Sequence, residues 1–143
     1  MAEQDPESVT SVPPYPLAMV ACDAVHRDQT TGKRTLLGLF STIRAAQLPY
    51  VHPRLAVYVA LTDARGRLPV ALRLVHANED RAALFEARTE VEFGDPRAIV
   101  EIDFHVREVR FETAGEYRFQ LEAAGQLLME RRILVFTPGE DEQ

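Results

Sequence analysis

The amino-acid sequence predicts an all-β protein, a single antiparallel β-sandwich of about seven to nine strands. Three observations predict it. Apolar and polar residues alternate with a period of two along most of the chain, and turn-forming residues separate the alternating segments. The composition is that of one globular domain, with 143 residues of which 46% are hydrophobic and 27% charged, enough to bury a core without metals or cross-links.

The first strands are predicted from two apolar segments on either side of a polar turn. A mostly apolar run extends from Leu17 to His26, and residues 28–33 have the composition of a turn. Residues 36–43 are largely apolar at both odd and even positions. That pattern predicts a central strand that is buried on both of its faces.

The next segment contains two proline dipeptides and a turn between predicted strands. Leu48-Pro49 and His52-Pro53 indicate a loop. Alternation resumes over 55–62 and 70–74, which predicts two further strands. Asp63-Ala64-Arg65-Gly66 separates them and has the composition of a hairpin turn.

The second half of the chain continues the alternation over 85–93, 100–106, 117–121 and 127–136. Residues 79–87 are rich in Ala, Leu and Glu and could compete as a helix, but the period of two in the residues that follow favours a strand. Glu130-Arg131-Arg132 interrupts the last strand, which indicates a bulge or an exposed edge.

A local motif refines the fold class. Gly115-Glu116-Tyr117 follows a turn of small residues and opens an alternating strand. This spacing is typical of a tyrosine corner, in which the buried phenol of Tyr117 donates to a backbone carbonyl just upstream. The motif favours an immunoglobulin-like sandwich, although an ordinary turn before a strand with a core tyrosine would also explain it.

The net charge of −6 is concentrated at the two ends. Residues 1–15 and 138–143 each carry three acidic residues and no basic residue, and the remaining 16 acidic residues are balanced by 16 Lys and Arg. We therefore predict a β-sandwich domain over 16–137 between flexible acidic tails at 1–15 and 138–143. A neutral domain provides no electrostatic drive toward nucleic acid or an anionic membrane.

The cysteine content and the N-terminus predict the compartment. Cys22 is the only cysteine, so no intramolecular disulfide is possible. The N-terminal residues are acidic and polar rather than basic and apolar, and no apolar run reaches 18 residues. These features predict a cytoplasmic protein without a membrane segment.

Several of these motifs together resemble a family of small uncharacterised bacterial proteins. The resemblance extends over about residues 16–136 and implies one immunoglobulin-like β-sandwich, no assigned activity and no catalytic residue. The motifs that carry it are Ala21-Cys22-Asp23, Thr31-Gly32-Lys33 with Leu36-Leu37-Gly38-Leu39-Phe40, His52-Pro53 before Leu55-Ala56-Val57-Tyr58, and Gly115-Glu116-Tyr117.

No motif predicts catalysis, a cofactor or a metal. Asp103 and His105 share one face of a predicted strand, but they would supply only two ligands. Cys22 lies in an apolar strand and is interpreted as a packed thiol, and its neighbour Asp23 as one partner of an ion pair. Residues 30–33 resemble the end of a phosphate-binding loop but lack its upstream glycine. The sequence therefore predicts a protein that is not an enzyme.

A possible interaction surface remains, formed by Phe40, Tyr58, Arg131 and Arg132. The strand that contains Phe40 and the face of Ala56, Tyr58 and Ala60 carry more apolar area than one sandwich face requires, so either a partner or the chain's own loops cover them. The two arginines either bind a carboxylate of a partner or protect a solvated edge strand.

These expectations favour a non-enzymatic binding or assembly module that acts through protein–protein contacts, with a protein partner or as a homo-oligomer, and with no cofactor. One alternative is a small-molecule or carbohydrate-binding sandwich, for which Tyr50, Tyr58 and Phe40 would supply the aromatic surface. A metal-dependent enzyme is the least favoured hypothesis.

Overall fold

The computed structural model describes residues 12–78 and 81–138, and these residues form nine strands. In chain order the strands are β1 Tyr15–Arg27, β2 Arg34–Leu39, β3 Thr42–Arg44, β4 Tyr50–Thr62, β5 Gly66–His76, β6 Phe85–Phe93, β7 Val100–Phe111, β8 Gly115–Ala123 and β9 Gln126–Phe136. Tyr15, which the sequence assigned to the first tail, is the first residue of β1. The predicted flexible tails otherwise fall almost entirely on residues outside the described ranges.

The strands form two sheets, which confirms the all-β prediction. One sheet has the order β2-β1-β4-β7 and is antiparallel, and the other has the order β3-β9-β8-β5-β6. The prediction of a purely antiparallel structure is wrong, because β3 pairs with β9 in parallel. Only Phe40 and Ser41 separate β2 from β3, so the chain crosses between sheets without a full reversal.

The core lies between the two sheets and receives side chains from both. Because side chains in a strand alternate between faces, β4 directs Val57 and Val59 inward and its even-numbered neighbours outward. The five bulkiest side chains with under 2% exposure are Tyr117, Phe93, Phe111, Phe119 and Met19. One apolar cluster therefore joins the sheets.

Residues 36–43 do not form the buried central strand that the sequence predicts. They are divided between β2, an edge of the four-stranded sheet, and β3 in the other sheet. Leu37 and Leu39 are 49% and 64% exposed. A buried strand and a chain that changes sheets can both be apolar at odd and even positions. Gly38, at a φ of 73°, interrupts the extended backbone just before the chain changes sheets.

The turn at 63–66 is not a hairpin turn, so that prediction is wrong too. It connects β4 in one sheet with β5 in the other. Both edges of β4 are already paired, with β1 and with β7, and β5 therefore cannot pair beside it. The crossover is held by a hydrogen bond of 2.9 Å from the Asp63 amide to the Pro96 carbonyl.

The predicted loop around His52-Pro53 lies inside β4. Pairing with β7 passes directly from His52–Val109 to Arg54–Arg107 and omits Pro53 and Glu108. Proline has no N–H for the ladder, and Glu108 has a φ of 53°. The inward face therefore shifts by one residue, and Val109 reaches the core as Val106 does.

The C-terminal strands agree with the sequence in outline. Residues 85–93 form β6, as the preference for a strand over a helix predicted. The register of β9 with β8 shifts opposite Leu121 and Glu122, so the irregularity lies before Glu130-Arg131-Arg132. β3 pairs only with Leu134–Phe136, and among the described residues no strand pairs with that side of β9 before Leu134.

Candidate functional site

The outer face of the four-stranded sheet is crossed by its own β1–β2 hairpin. β1 pairs with β4 only as far as Cys22, opposite Ala56. Beyond that point Arg34 of β2 reaches Asp103 and Glu101 of β7, with N–O distances of 2.9 and 2.8 Å. Because β1 and β4 stand between β2 and β7 in the sheet, this contact requires the hairpin to fold over the outer face.

Small residues beneath the folded hairpin allow this close approach. Cys22, Ala56 and Ala60 point away from the core, yet they are only 0%, 1% and 5% exposed. Ala24 and Val25 of the hairpin lie beside Ala56. The apolar face of Ala56, Tyr58 and Ala60 was expected to be covered either by a partner or by the chain's own loops. At Ala56, the chain's own residues cover it.

Tyr58 belongs to the ion-pair cluster under the hairpin and lies apart from the other predicted surface residues. Its hydroxyl group donates a hydrogen bond to Glu101, whose carboxylate also pairs with Arg34. Burial, and then the adjacent Glu101 carboxylate, raise the pKa of Tyr58 to about 12. The phenol is thus a neutral donor that helps to fasten the hairpin.

Cys22 and Asp103, two candidates for catalysis or metal binding, make contacts that stabilise the fold. Burial raises the pKa of the Cys22 thiol, and the carboxylates of Asp23 and Asp103 raise it further, so the thiolate is disfavoured. Asp103 pairs with Arg34. Within 12–78 and 81–138, no three His, Cys, Asp or Glu side chains converge in a way that could hold a metal ion.

Phe40, Arg131 and Arg132 line one cleft of about 330 Å³, together with Val20, Ala21, Leu39, Ser41 and Ile133. We call this cleft, with the adjacent edges of β1 and β9, the seam. It lies where the chain leaves β2 and enters β3. Sequence reasoning found three of its residues and missed Leu39 and Ser41, because it did not predict the change of sheet. Gly38, which can adopt a positive φ, was the residue in the sequence that could have indicated this change of sheet.

The seam contains an open edge of β1. Between Tyr15 and Ala21, β4 lies on one side of the strand, while β2 begins to pair on the other side only at Cys22. The Ala21 carbonyl accepts a hydrogen bond from the Phe40 amide, at 3.2 Å, on the β2 side. Backbone groups two residues apart face the same way, so the Met19 carbonyl also faces this open edge.

An arginine of β9 bridges from the second sheet to this edge. Nε of Arg131 donates a hydrogen bond of 2.6 Å to the Met19 carbonyl oxygen. The contact places the open edges of β1 and β9 side by side. It also satisfies one edge carbonyl with a side chain, since no strand supplies a partner there.

The open edge of β9 presents the backbone of its even-numbered residues. The Leu134 amide donates a hydrogen bond of 3.0 Å to the Ser41 carbonyl, on the β3 side of the strand. Arg132 and Glu130 lie two and four residues earlier, so their backbone groups face the same side. The side chain of Arg132 is 66% exposed, and its nearest carboxylate, that of Glu116, lies 4.0 Å away. This edge therefore offers both backbone groups and a weakly paired cation.

Apolar side chains flank the two edges. Leu17 of β1, Leu39 of β2 and Leu127 of β9 are 46%, 64% and 53% exposed. Exposed leucines next to unpaired backbone are costly in water and are normally protected in an edge strand.

Tyr117 has the contact expected of a tyrosine corner. Its hydroxyl group donates a hydrogen bond of 2.7 Å to the carbonyl of Thr113, four residues upstream. Its ring packs edge-on against Phe111, with 4.9 Å between the ring centroids. The side chain is 1% exposed, so it fixes the start of β8 against the core and takes no part in a surface.

Comparisons with known proteins identify a family but no activity. Residues 17–136 match the model of a family of unknown function, DUF6941. No curated protein matches the chain. A solved structure of a β-glucosidase, EmGH1 from Erythrobacter marinus, is 16% identical with a TM-score of 0.43, over 83% of this chain and 15% of that chain. That likeness is too weak to support an argument about fold or function. No helix in the described part of the chain is long and apolar enough to cross a membrane.

Proposed function

This chain belongs to DUF6941, a family of unknown function, and we propose that it is a non-enzymatic binding module that adds an extended segment of a protein partner to the seam. One observation carries the proposal: two strand edges from different sheets, neither of them paired with a strand of the described ranges, lie side by side and are bridged by the Arg131–Met19 contact. An added strand would satisfy the backbone groups that both edges leave unpaired.

The chemistry around the edges indicates the partner segment. Side chains alternate in an extended segment, so one face of it would cover Leu39 in the cleft while backbone groups pair with β9. A carboxylate near Arg132 would complement a cation whose present partner is 4.0 Å away. We therefore propose a segment with alternating apolar residues and at least one acidic residue. A second copy of this chain is the competing occupant.

The finer fold and the compartment are part of the same proposal. We propose that the sandwich is immunoglobulin-like, a view supported by the Tyr117–Thr113 hydrogen bond and the two packed sheets. A cytoplasmic location is supported by the buried thiol of Cys22.

The geometry supports a protein ligand better than a carbohydrate. Phe40 and Tyr50 both contact His52, at centroid distances of 6.0 and 5.8 Å, while the Tyr58 hydroxyl group is bonded to Glu101. The rings of Phe40 and Tyr50 are tilted by 38° and 67° from the His52 ring, and Tyr58 lies apart from them, so the three aromatic residues do not form one flat platform for a sugar ring.

A matched pair of variants tests the edge. Arg132→Ala removes the charge, and Arg132→Pro also removes a backbone N–H that faces the open edge and has no ladder partner. Ten-residue peptides would be selected from a phage-displayed library on the full chain, and their binding measured by calorimetry. We expect Arg132→Pro to weaken binding by at least about tenfold beyond Arg132→Ala, because a backbone hydrogen bond is lost.

Hydrogen exchange on the unmodified chain provides a second measurement that does not depend on the folding of a variant. A bound peptide should slow exchange of the Glu130 and Arg132 amides. Selected peptides that leave these amides unprotected would contradict the proposal. Light scattering identifies the competing occupant: if the chain forms dimers that Arg132→Pro converts to monomers, a second copy fills the seam.

A further inference from the structure

A second cavity lies on the outer face of the five-stranded sheet, and its lining residue Arg118 pairs across β8 and β9 with Arg132 of the seam. It has a volume of about 350 Å³ and is lined by Arg73, His76, Arg81, Arg118 and Gln120, with Val75 and Ala77. We call it the basic cavity. None of the described residues that line it is acidic, although the chain as a whole has a net charge of −6.

Arg73 is the side chain that most requires a ligand. It is half-buried, and its hydrogen bond is to a neutral acceptor, Oε1 of Gln120, at 3.4 Å. No carboxylate among the described residues pairs with it. Its neighbour Arg118 differs, since it pairs with Glu116 at 3.0 Å and Glu130 at 3.4 Å. A partly desolvated guanidinium group without a counter-charge favours an anion beside it.

His76 borders the cavity but directs its ring to the other face of the sheet. It pairs with Tyr117 of β8, and the two rings lie edge-on with 4.8 Å between their centroids. Tyr117 belongs to the core, and residues directly opposite each other on paired strands share a face. The His76 ring therefore makes no contact on the outer face.

The strand register brings the two arginines together. Arg73 pairs with Gln120, and Val75 pairs with Arg118, so Arg73 and Arg118 are diagonal neighbours across β5 and β8. Such neighbours lie about 7–8 Å apart, which both guanidinium groups can span to reach one ligand. Two guanidinium groups that approach from neighbouring strands suit a tetrahedral oxyanion better than a planar carboxylate, which binds a single guanidinium fork in its own plane.

We propose that the basic cavity is a binding site for a small phosphate-bearing anion, held by Arg73 and Arg118. The volume is within the range of small-molecule sites. The site lies next to the seam, because Arg118 pairs with Arg132 across β8 and β9 and both contact Glu116, but neither proposal requires the other.

The test uses the full chain and inorganic pyrophosphate as the probe, with arginine Nε and backbone amide signals followed by NMR. We expect saturable shifts centred on Arg73 and Arg118. Arg73→Gln should weaken binding by about tenfold or more, since one charge-assisted contact is lost. Arg67→Gln is the control, because it removes the same charge from a 64% exposed side chain of β5 that pairs with Glu90. Arg67→Gln should leave pyrophosphate binding unchanged.

Two results would overturn the proposal. One is the absence of saturable shifts at pyrophosphate concentrations up to about 10 mM, a threshold that corresponds to very weak binding. The other is equal weakening by Arg67→Gln and Arg73→Gln, which would indicate attraction to general surface charge. The Arg73→Gln chain should keep its circular dichroism spectrum, because Arg73 does not lie in the core.

A further experiment distinguishes two ligands of the cavity, a free anion and the chain's own carboxylates. The latter are Glu140, Asp141 and Glu142, which follow the last described residue, Pro138. The variant E140Q/D141N/E142Q would bind pyrophosphate with unchanged affinity if the ligand is free. Tighter binding would show that these carboxylates compete for the same oxyanion site. Either result supports an anion site.

Discussion

Tyr117 carries a polar atom into an apolar core, where its hydroxyl group donates to the Thr113 carbonyl. Tyr117→Phe keeps the ring and removes that donor, leaving the carbonyl without this partner. We expect the free energy of unfolding to fall by about 1–3 kcal/mol in urea denaturation. Tyr15→Phe is the control, since Tyr15 is 60% exposed and should change stability little. Equal effects of the two substitutions would contradict a role for the buried hydrogen bond.

His52 should make stability depend on pH. Burial lowers its pKa below the ordinary 6.5, so the unfolded chain takes up a proton more readily than the folded chain. The free energy of unfolding should therefore decrease as the pH falls below about 6.5, until the lower pKa of the folded state is passed. His52→Gln should flatten this part of the curve in urea denaturation. Parallel curves for the wild type and His52→Gln would refute the assignment.

The β1–β2 hairpin depends on the Arg34 ion pairs for its position over the outer face of the sheet. The side chain of Arg34 is only 10% exposed and that of Asp103 16%. Arg34→Gln should lower the free energy of unfolding by about 2 kcal/mol, since hydrogen bonds to a charged group are lost. Arg67→Gln breaks an ion pair of a side chain that is 64% exposed, and the loss of stability should be much smaller.

Hydrogen exchange locates the effect of Arg34→Gln. Amides of β2 should exchange faster, while those of β5 and β8 should keep their protection. A double-mutant cycle with Asp103→Asn measures the coupling directly. If the two substitutions are additive, the pair does not fasten the hairpin.

The pairing of β1 with β2 also depends on Gly38. Gly38 has a φ of 73°, and a Cβ atom there would lie 2.3 Å from Oδ2 of Asp23. Gly32 has a similar φ of 76° with no atom within 4 Å of its added Cβ, so Gly32→Ala measures the backbone cost alone. We expect that cost to be about 1–2 kcal/mol, and Gly38→Ala to cost about 1–3 kcal/mol more because of the clash. Equal losses in urea denaturation would show that Asp23 moves aside freely.

Alternation with a period of two was sufficient to predict most strands but not the sheet to which each belongs. It placed β6 at its observed bounds and located β7 and β8, because each has one apolar and one polar face, although β7 continues to Phe111, beyond the predicted end at 106. It joined β2 to β3, because two short apolar strands that meet at a change of sheet have the same composition as one buried strand. It also predicted a hairpin at 63–66, since turn composition does not indicate where the chain goes next.

At the scale of the whole molecule, one core joins both sheets, so they should unfold together. Leu55 of β4 and Leu72 of β5 are 3% and 0% exposed and belong to the same cluster, although they lie in different sheets. Leu55→Ala and Leu72→Ala should each cost about 2–5 kcal/mol. Each should shift a single urea transition, with far-UV and tyrosine near-UV circular dichroism coincident. A variant in which the two signals separate would show that the sheets unfold independently.

The seam was only partly predictable for a physical reason. Phe40 was predicted because its strand carries more apolar residues than one sandwich face requires, and Arg131 and Arg132 because a pair of basic residues interrupts an apolar strand. The Met19 carbonyl could not be found, because the contact that identifies it joins residues 112 positions apart and involves a backbone atom that the sequence does not distinguish. The outward face of Tyr58 suggested a surface, but a hairpin folded from the same chain occupies it.

The position of both unpaired edges on one side of the molecule limits how copies of the chain could associate. A fibre grows when each subunit offers a donor edge on one side and an acceptor edge on the other, so that every addition exposes a fresh site. Here a copy that docks at the seam would use the same patch that it occupies on its neighbour. Such contact is reciprocal and has two-fold symmetry, so growth by this route ends at a pair.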